Sequence, residues 1–266
     1  TRVMIDLGNS TNLSADEAAT ALAKFTNITK TNADDYDKLG ATIVDLGNNF
    51  ATTEADIVHL STRLAAAGEL AGLSEPDILG LATAMSSVGI TAEAGGTAMS
   101  KFLNKMQAAV ERGPAAIKNF NKTFGKFGYS LDDVGKKVAA GGKEFKEFAK
   151  KVGMSTKDIK TIYKETTKSA GALDDFAKVA GMSSADFSKA FKEDAAGALT
   201  AFLTGLNDVE RNGKTAGLVL DDMGITEQRM RDALLRLSQS NGILTSSLEK
   251  GQTAWDNNSA LTKEAT

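Results

Sequence analysis

A short unit that ends one helix and starts the next recurs along this chain and constrains its fold more than any other feature. The unit is a glycine, an apolar residue, a serine or threonine, two further residues and an acid. Glycine takes the left-handed conformation past a helix end, the apolar residue packs back across the turn, and the hydroxyl and the acid form a capping box on the next helix. Full copies are Gly72-Leu73-Ser74 with Asp77, Gly128-Tyr129-Ser130 with Asp133, Gly153-Met154-Ser155 with Asp158, and Gly181-Met182-Ser183 with Asp186.

Two looser copies place the acid in the first turn of the following helix, where the helix dipole still favours a negative charge. They are Gly89-Ile90-Thr91 with Glu93, and Gly224-Ile225-Thr226 with Glu227. Between the units, apolar residues recur at intervals of three and four, which is typical of one-sided helices. The sequence therefore predicts an all-α fold, a multi-helical array of helix-turn-helix units with no significant β-sheet.

One stretch of the chain is duplicated. Residues 148–155, which read FAKKVGMS, are closely similar to residues 176–183, which read FAKVAGMS, at an offset of 28 positions. Two copies fall short of the three or so that a solenoid needs, so we interpret them as a local duplication. With boundaries at Gly113-Pro114 and after the glycine-containing stretch 169–171, the sequence predicts three segments: 1–112, a helical region; 113–172, a lysine-rich helical hairpin insert; and 173–266, a C-terminal helical region.

Charge is distributed unevenly along the chain. Residues 113–170 hold 13 lysines and 6 acidic residues, whereas the remainder holds 18 basic and 28 acidic residues. Lysines at helical spacing predict basic stripes, which are either ordinary solvated surface or a face for DNA phosphates, an anionic membrane or acidic parts of the same protein. No arginine accompanies them for planar phosphate recognition, so no sequence-specific nucleic-acid binding is expected. Three aromatic residues are predicted to be core: Phe120, Phe124 and Phe127.

The residues that catalysis usually needs are scarce. The chain holds 1 histidine, His59, and no cysteine, so neither a usual zinc site nor a catalytic triad is indicated and His59 is interpreted as structural. Glycine pairs at Gly95-Gly96-Thr97 and Gly141-Gly142-Lys143 lack the spacing of a phosphate-binding loop. Pairs of adjacent carboxylates could in principle serve glycoside hydrolysis. They lie where turns and helix starts favour acids, and they are Asp34-Asp35, Asp132-Asp133, Asp174-Asp175 and Asp221-Asp222. The prediction is a protein that is not an enzyme, with no catalytic, cofactor-binding or metal-binding residues.

The glycine pair calls for its own explanation, because two adjacent glycines in a helix cost about 2 kcal/mol relative to alanine. The first interpretation is close approach of a neighbouring helix to Gly95 and Gly96, with Thr97 capping the helix that follows. A flexible kink is the alternative. The residues singled out by the turns, the caps and this pair are Gly72, Ser74, Asp77, Gly89, Thr91, Glu93, Gly95, Gly96, Thr97, Gly153, Ser155, Gly181, Ser183 and Gly224.

Nothing in the sequence indicates a membrane or a secretion signal. No apolar run approaches the roughly 20 residues of a membrane-spanning helix, and residues 1–6 lack a signal-peptide core. The absence of cysteine leaves the compartment undecided. We expect a soluble chain that is a piece of a longer protein.

Several stretches resemble a known family. Residues 46–57, 71–74 and 81–98, the last reading LATAMSSVGITAEAGGTA, closely resemble the core region of phage tail tape measure proteins. Residues 198–206, with Gly213, Leu220, Gly224-Ile225 and residues 234–237, are similar to the family's continuation. The resemblance covers most of residues 5–250 and makes 1–112 the tape measure core region, but it does not extend confidently over residues 126–172.

The resemblance implies a structural protein that determines tail length by its own length, nucleates polymerisation of the tail tube, fills the tail lumen and leaves before or with the DNA at infection. It implies tail tube proteins, tail-tip proteins and tail assembly chaperones as partners, and contact with the host envelope. It also implies a homo-oligomer that lies in the virion tail lumen and that is in the host cytoplasm during assembly. Alternatives are a helical module of a phage-derived particle, such as a tailocin or contractile injection system, a membrane- or cell-wall-interacting segment, or, less in keeping with the sequence, a peptidoglycan hydrolase.

Overall fold

The computed structural model describes residues 14–211, 215–240 and 242–258. Across these residues the chain forms 13 α-helices and no strand, which confirms the predicted all-α class. The helices are α1 Ala15–Thr29, α2 Tyr36–Asn49, α3 Glu54–Ala71, α4 Glu75–Ser87, α5 Thr97–Phe124, α6 Leu131–Ala140, α7 Gly142–Val152, α8 Thr156–Val179, α9 Ser184–Glu193, α10 Ala195–Arg211, α11 Ala216–Asp222, α12 Gln228–Ser238 and α13 Ile243–Asn257. Short 3₁₀ turns lie at Ala33–Asp35 and Gly125–Phe127, and a π turn lies at Ala92–Gly96.

The recurring unit ends six of the described helical segments in the same way. All six of its glycines have positive φ, from 65° to 89°. In each case the amide of the next, apolar residue donates to the carbonyl five residues earlier, at 2.8 to 3.3 Å. This is the Schellman arrangement, which satisfies carbonyls left open at a helix end. The local sequence therefore sets where these helices stop.

The described residues pack as two compact units. The first unit holds residues 14–105, 179–181 and the described residues from 189 onward, and the second holds residues 106–178 and 182–188. This is a division by packing, and the predicted division into three segments stays a prediction.

Helix α4 is the centre of the first unit and packs against α2, α3 and α13. Most of its residues are buried, as expected for a helix that is apolar on all sides. Glycines bring α4 and α13 into backbone contact: a Cβ on Gly80 would lie 2.9 Å from the Ser247 carbonyl oxygen, and one on Gly251 would lie 3.0 Å from the Pro76 carbonyl oxygen. The Ser247 hydroxyl also donates to the Gly80 carbonyl at 2.9 Å.

An aromatic core holds the second unit together. The rings of Phe120 and Phe124 lie 4.7 Å apart, and Tyr129 meets Phe148 edge-on at 4.9 Å. The buried members of this core are Phe120, Phe124, Val134, Phe145, Phe148, Ala149, Val152 and Ile159. The prediction of a core position is confirmed for Phe120 and Phe124 but is wrong for Phe127, which is 37% exposed. Helix α5 ends at Phe124, and the tighter 3₁₀ turn that follows changes the direction of the Phe127 side chain.

No single helix among the described residues is long and apolar enough to cross a membrane, and only the bent pair Glu75–Ser87 with Ala92–Phe127 passes a test of length and composition.

Candidate functional site

The paired glycines lie where helix α3 passes close to the start of α5. A Cβ on Gly96 would lie 2.9 Å from Cδ and 3.0 Å from Cβ of Arg63 on α3. Ser100, one turn further along α5, donates its hydroxyl to the Arg63 carbonyl oxygen at 3.1 Å. Arg63 therefore covers Gly96, a role that could not be predicted because no sequence pattern near residue 63 marks it.

Gly95 is enclosed by its own preceding turn. A Cβ there would lie 2.0 Å from Cγ2 of Ile90 and 3.0 Å from Cε of Met85. Ile90 is the apolar residue of the Gly89 unit, and its amide donates to the Met85 carbonyl at 3.0 Å. Both glycines thus occupy positions with no room for a side chain, which fits the packing interpretation better than the flexible kink.

Thr91, and not Thr97, caps this segment. Thr97 has helical dihedrals, φ −66° and ψ −39°, so the prediction that it is an N-cap is wrong. The π turn runs directly into α5, and the Thr91 hydroxyl accepts the amide of Ala94 at 3.3 Å at its start. Glu93 lies in the first turn, with its carboxylate 3.9 Å from the Arg63 guanidinium.

The four full units place their hydroxyl and acid together at helix starts. The Ser74 hydroxyl donates to Asp77 at 2.6 Å and accepts the Asp77 amide at 3.4 Å. The corresponding pairs at Ser155 with Asp158 and Ser183 with Asp186 both measure 2.7 and 3.1 Å. These contacts join residues that are close in sequence, so each copy of the recurring turn-and-cap unit is a separate local structure.

The copy at Gly224 differs from the expectation. Gly224 has φ 65° and ends its helix as predicted, but Glu227 is the residue before α12 and makes no capping hydrogen bond. Its carboxylate instead pairs with the Lys101 amine at 3.0 Å. The placement of Glu227 in the first turn is therefore wrong, because α12 begins one residue later, at Gln228.

His59 is exposed and lines an open cleft between α1 and α3. The cleft has a volume of about 420 Å³ and includes Asp16, Glu17, Lys24 and Arg63. The pKa of Glu17 is lowered chiefly by the Ser14 hydroxyl and then by the Ser14 amide, with a smaller contribution from the charge of His59. Glu17 thus serves the cap of α1, and the interpretation of His59 as structural stays a prediction.

At least one carboxylate of each adjacent pair is occupied by a contact with another side chain. Asp35 pairs with Lys38 at 2.8 Å, Asp132 with Lys136 at 2.6 Å, and Asp221 with Arg231 at 2.5 Å. Asp174 accepts the hydroxyl of Ser184 at 3.0 Å. In the part of the chain that the structure describes, no group of three or more His, Cys, Asp or Glu side chains is placed to hold a metal ion.

The comparison with known families assigns the chain. Residues 1–147, more than half of its length, match the family model of the phage-related minor tail proteins. The chain belongs to this family. The family indicates a structural role in a phage tail and a location in the virion tail. No curated protein and no solved structure is significantly similar to the chain.

The family match includes some of the predicted residues and not others. The matched residues 1–147 include the recurring unit at Gly72, the glycine pair Gly95-Gly96, and Arg63, which packs over Gly96. It ends inside α7, so Gly153, Gly181 and Gly224 lie beyond it. Gly213, which the resemblance also used, lies outside the described residues.

Proposed function

We propose that this chain is part of a tape measure protein, a structural, non-enzymatic protein that occupies the lumen of a phage tail and determines tail length by its own length. The observation that carries the proposal is the family match over residues 1–147. Within that match lie the two longest stretches, 46–57 and 81–98, that resemble the tape measure core.

The helical architecture supports this function. A ruler has to convert residue number into length, and a helix does so at about 1.5 Å per residue. Six of the described helical segments end at a Schellman turn that the local sequence sets, and the four full copies of the recurring unit also cap the helix that follows. Helices defined in this way keep their lengths when packing between them changes. Tail tube proteins, tail-tip proteins, tail assembly chaperones and further copies of the chain are the proposed partners.

Protease protection in assembled tails tests the location. A protein in the lumen is shielded by the tube, so added protease should leave it intact in closed tails and cleave it after the tube is dissociated. An exterior tail protein, cleaved in both samples, is the control. Equal cleavage of this chain in closed and dissociated tails would place it outside the tube and contradict the proposal.

A further inference from the structure

The second unit is covered by lysines on several of its helices. Lys118 and Lys122 lie one turn apart on α5, opposite the buried Phe120 and Phe124. Residues 112–131 contain no acidic residue at all. Helix α7 exposes Lys143, Lys146 and Lys150, and α8 exposes Lys157, Lys160, Lys164 and Lys168.

Most of these lysines have no acidic partner within the unit. Of the 13 lysines between residues 113 and 170, all in the described part of the chain, two form ion pairs: Lys136 with Asp132 at 2.6 Å and Lys143 with Glu147 at 4.0 Å. Three others lie over aromatic rings: Lys126, Lys151 and Lys160. The second unit thus presents amines whose charge is not neutralised by the acidic side chains of the described residues.

The density of these charges distinguishes between partners. A carboxylate on another protein would gain little from them, since an exposed ion pair contributes about 0 to 1 kcal/mol. Double-stranded DNA carries one negative charge per about 1.7 Å of its axis, and every lysine that neutralises a phosphate also releases a condensed counterion. Exposed lysines spaced along helices therefore gain more affinity from such a polymer than from single carboxylates on another protein.

We propose that the second unit binds the phosphate backbone of double-stranded DNA without reading its sequence. Lysine ammonium groups act as point charges and lack the planar fork by which arginine recognises guanine or phosphate in a fixed geometry. Arg112 is the one arginine of this unit. Contacts of this kind position a protein on DNA but carry no sequence information. The proposal is independent of the tape measure assignment.

The test is fluorescence anisotropy of the full chain with two labelled duplexes of equal length and unrelated sequence. Both should bind with the same affinity, and the logarithm of the binding constant should fall linearly with the logarithm of salt between about 50 and 200 mM. The variant Lys118→Gln, Lys122→Gln, Lys164→Gln should bind both duplexes more weakly and should reduce the magnitude of the salt slope by about 3. Glutamine is a good helix former, so circular dichroism should be unchanged.

The control variant is Lys24→Gln, Lys189→Gln, Lys192→Gln, which removes the same charge from exposed lysines of the first unit. Its salt slope should equal that of the parent chain. Equal losses in both variants would show that net charge alone governs binding and would overturn the proposal. Labelled polyglutamate bound as tightly as DNA at the same salt would also overturn it and would assign the lysines to an acidic protein.

Discussion

The hydroxyl of Ser74 satisfies backbone groups at the start of α4, the most buried helix of the first unit. It accepts the Asp77 amide, while the Asp77 carboxylate accepts the Ser74 amide at 2.9 Å. Replacement of Ser74 by alanine leaves the Asp77 amide without this acceptor. We expect Ser74→Ala and Ser183→Ala each to lower the free energy of unfolding by about 1 kcal/mol, measured by urea denaturation.

Ser246→Ala is the matched control, because Ser246 is exposed on α13, whose start has no side-chain cap. It should leave stability unchanged or raise it slightly, since alanine is the better helix former. If all three variants denature at the urea concentration of the parent chain, the two serines do not act as caps.

Asp133, the acid of the recurring turn-and-cap unit at Gly128, leads to a prediction about the effect of pH on stability. The Ser130 hydroxyl, and then the Ser130 amide, hold the pKa of Asp133 below its usual value of about 3.9. Because the folded state lowers this pKa, the contribution to stability is complete above the unfolded value and is lost as pH falls through the folded one. In Ser130→Ala the Asp133 pKa should rise toward the usual value, as measured by NMR titration of the carboxyl carbon. An unchanged titration would show that Ser130 does not lower this pKa.

At the scale of helices, Gly96 lets α3 approach the start of α5, and Gly95 lets the preceding turn pack against the same segment. Gly95→Ala places a methyl group against the β-branched side chain of Ile90, and Gly96→Ala places one against Arg63 near its backbone. Neither neighbour can move away freely, so each substitution should destabilise the chain by about 1 to 3 kcal/mol through overpacking. Thermal denaturation measures the effect, and valine at both positions should be worse still.

Gly171→Ala, in the middle of a helix, should raise stability, whereas Gly95→Ala and Gly96→Ala should lower it. Gly171 lies in α8 with no atom within 4 Å of an added Cβ. Alanine there should stabilise the chain by about 1 kcal/mol, the usual difference in helix propensity. If Gly95→Ala and Gly96→Ala also raise the melting temperature, the glycines act as a kink and the packing interpretation fails.

Local features of the fold could be predicted from the sequence, whereas long-range contacts could not. The turns at Gly72 and Gly153 depend only on residues within five positions, so their pattern is visible in the chain. The contact of Gly80 with Ser247 joins residues far apart in sequence, and no local pattern records it. The position of Glu227 could not be predicted for a related reason, because its carboxylate pairs with the distant Lys101 instead of capping α12.

At the scale of the whole molecule, two differently charged units share one helical chain. The first unit contains the buried α4 and most of the stretch that matches the minor tail family. The second contains the aromatic core and the lysines. Residues 148–175 lie in the second unit and make up one 28-residue period of the internal duplication. Because a whole period is removed or repeated, deletion or insertion of these residues preserves the register of the repeat.

Tail length in phage particles carrying such changes is the most direct test of the central claim. The proposed function requires the helices to lie end to end along the lumen of the assembled tail, and each residue then contributes about 1.5 Å, so deletion of residues 148–175 should shorten the tail by about 42 Å. Insertion of a second copy of the same residues should lengthen it by the same amount, and electron microscopy of negatively stained particles measures both. Particles whose tails keep the parental length in both variants would contradict the claim that this chain determines tail length by its own length.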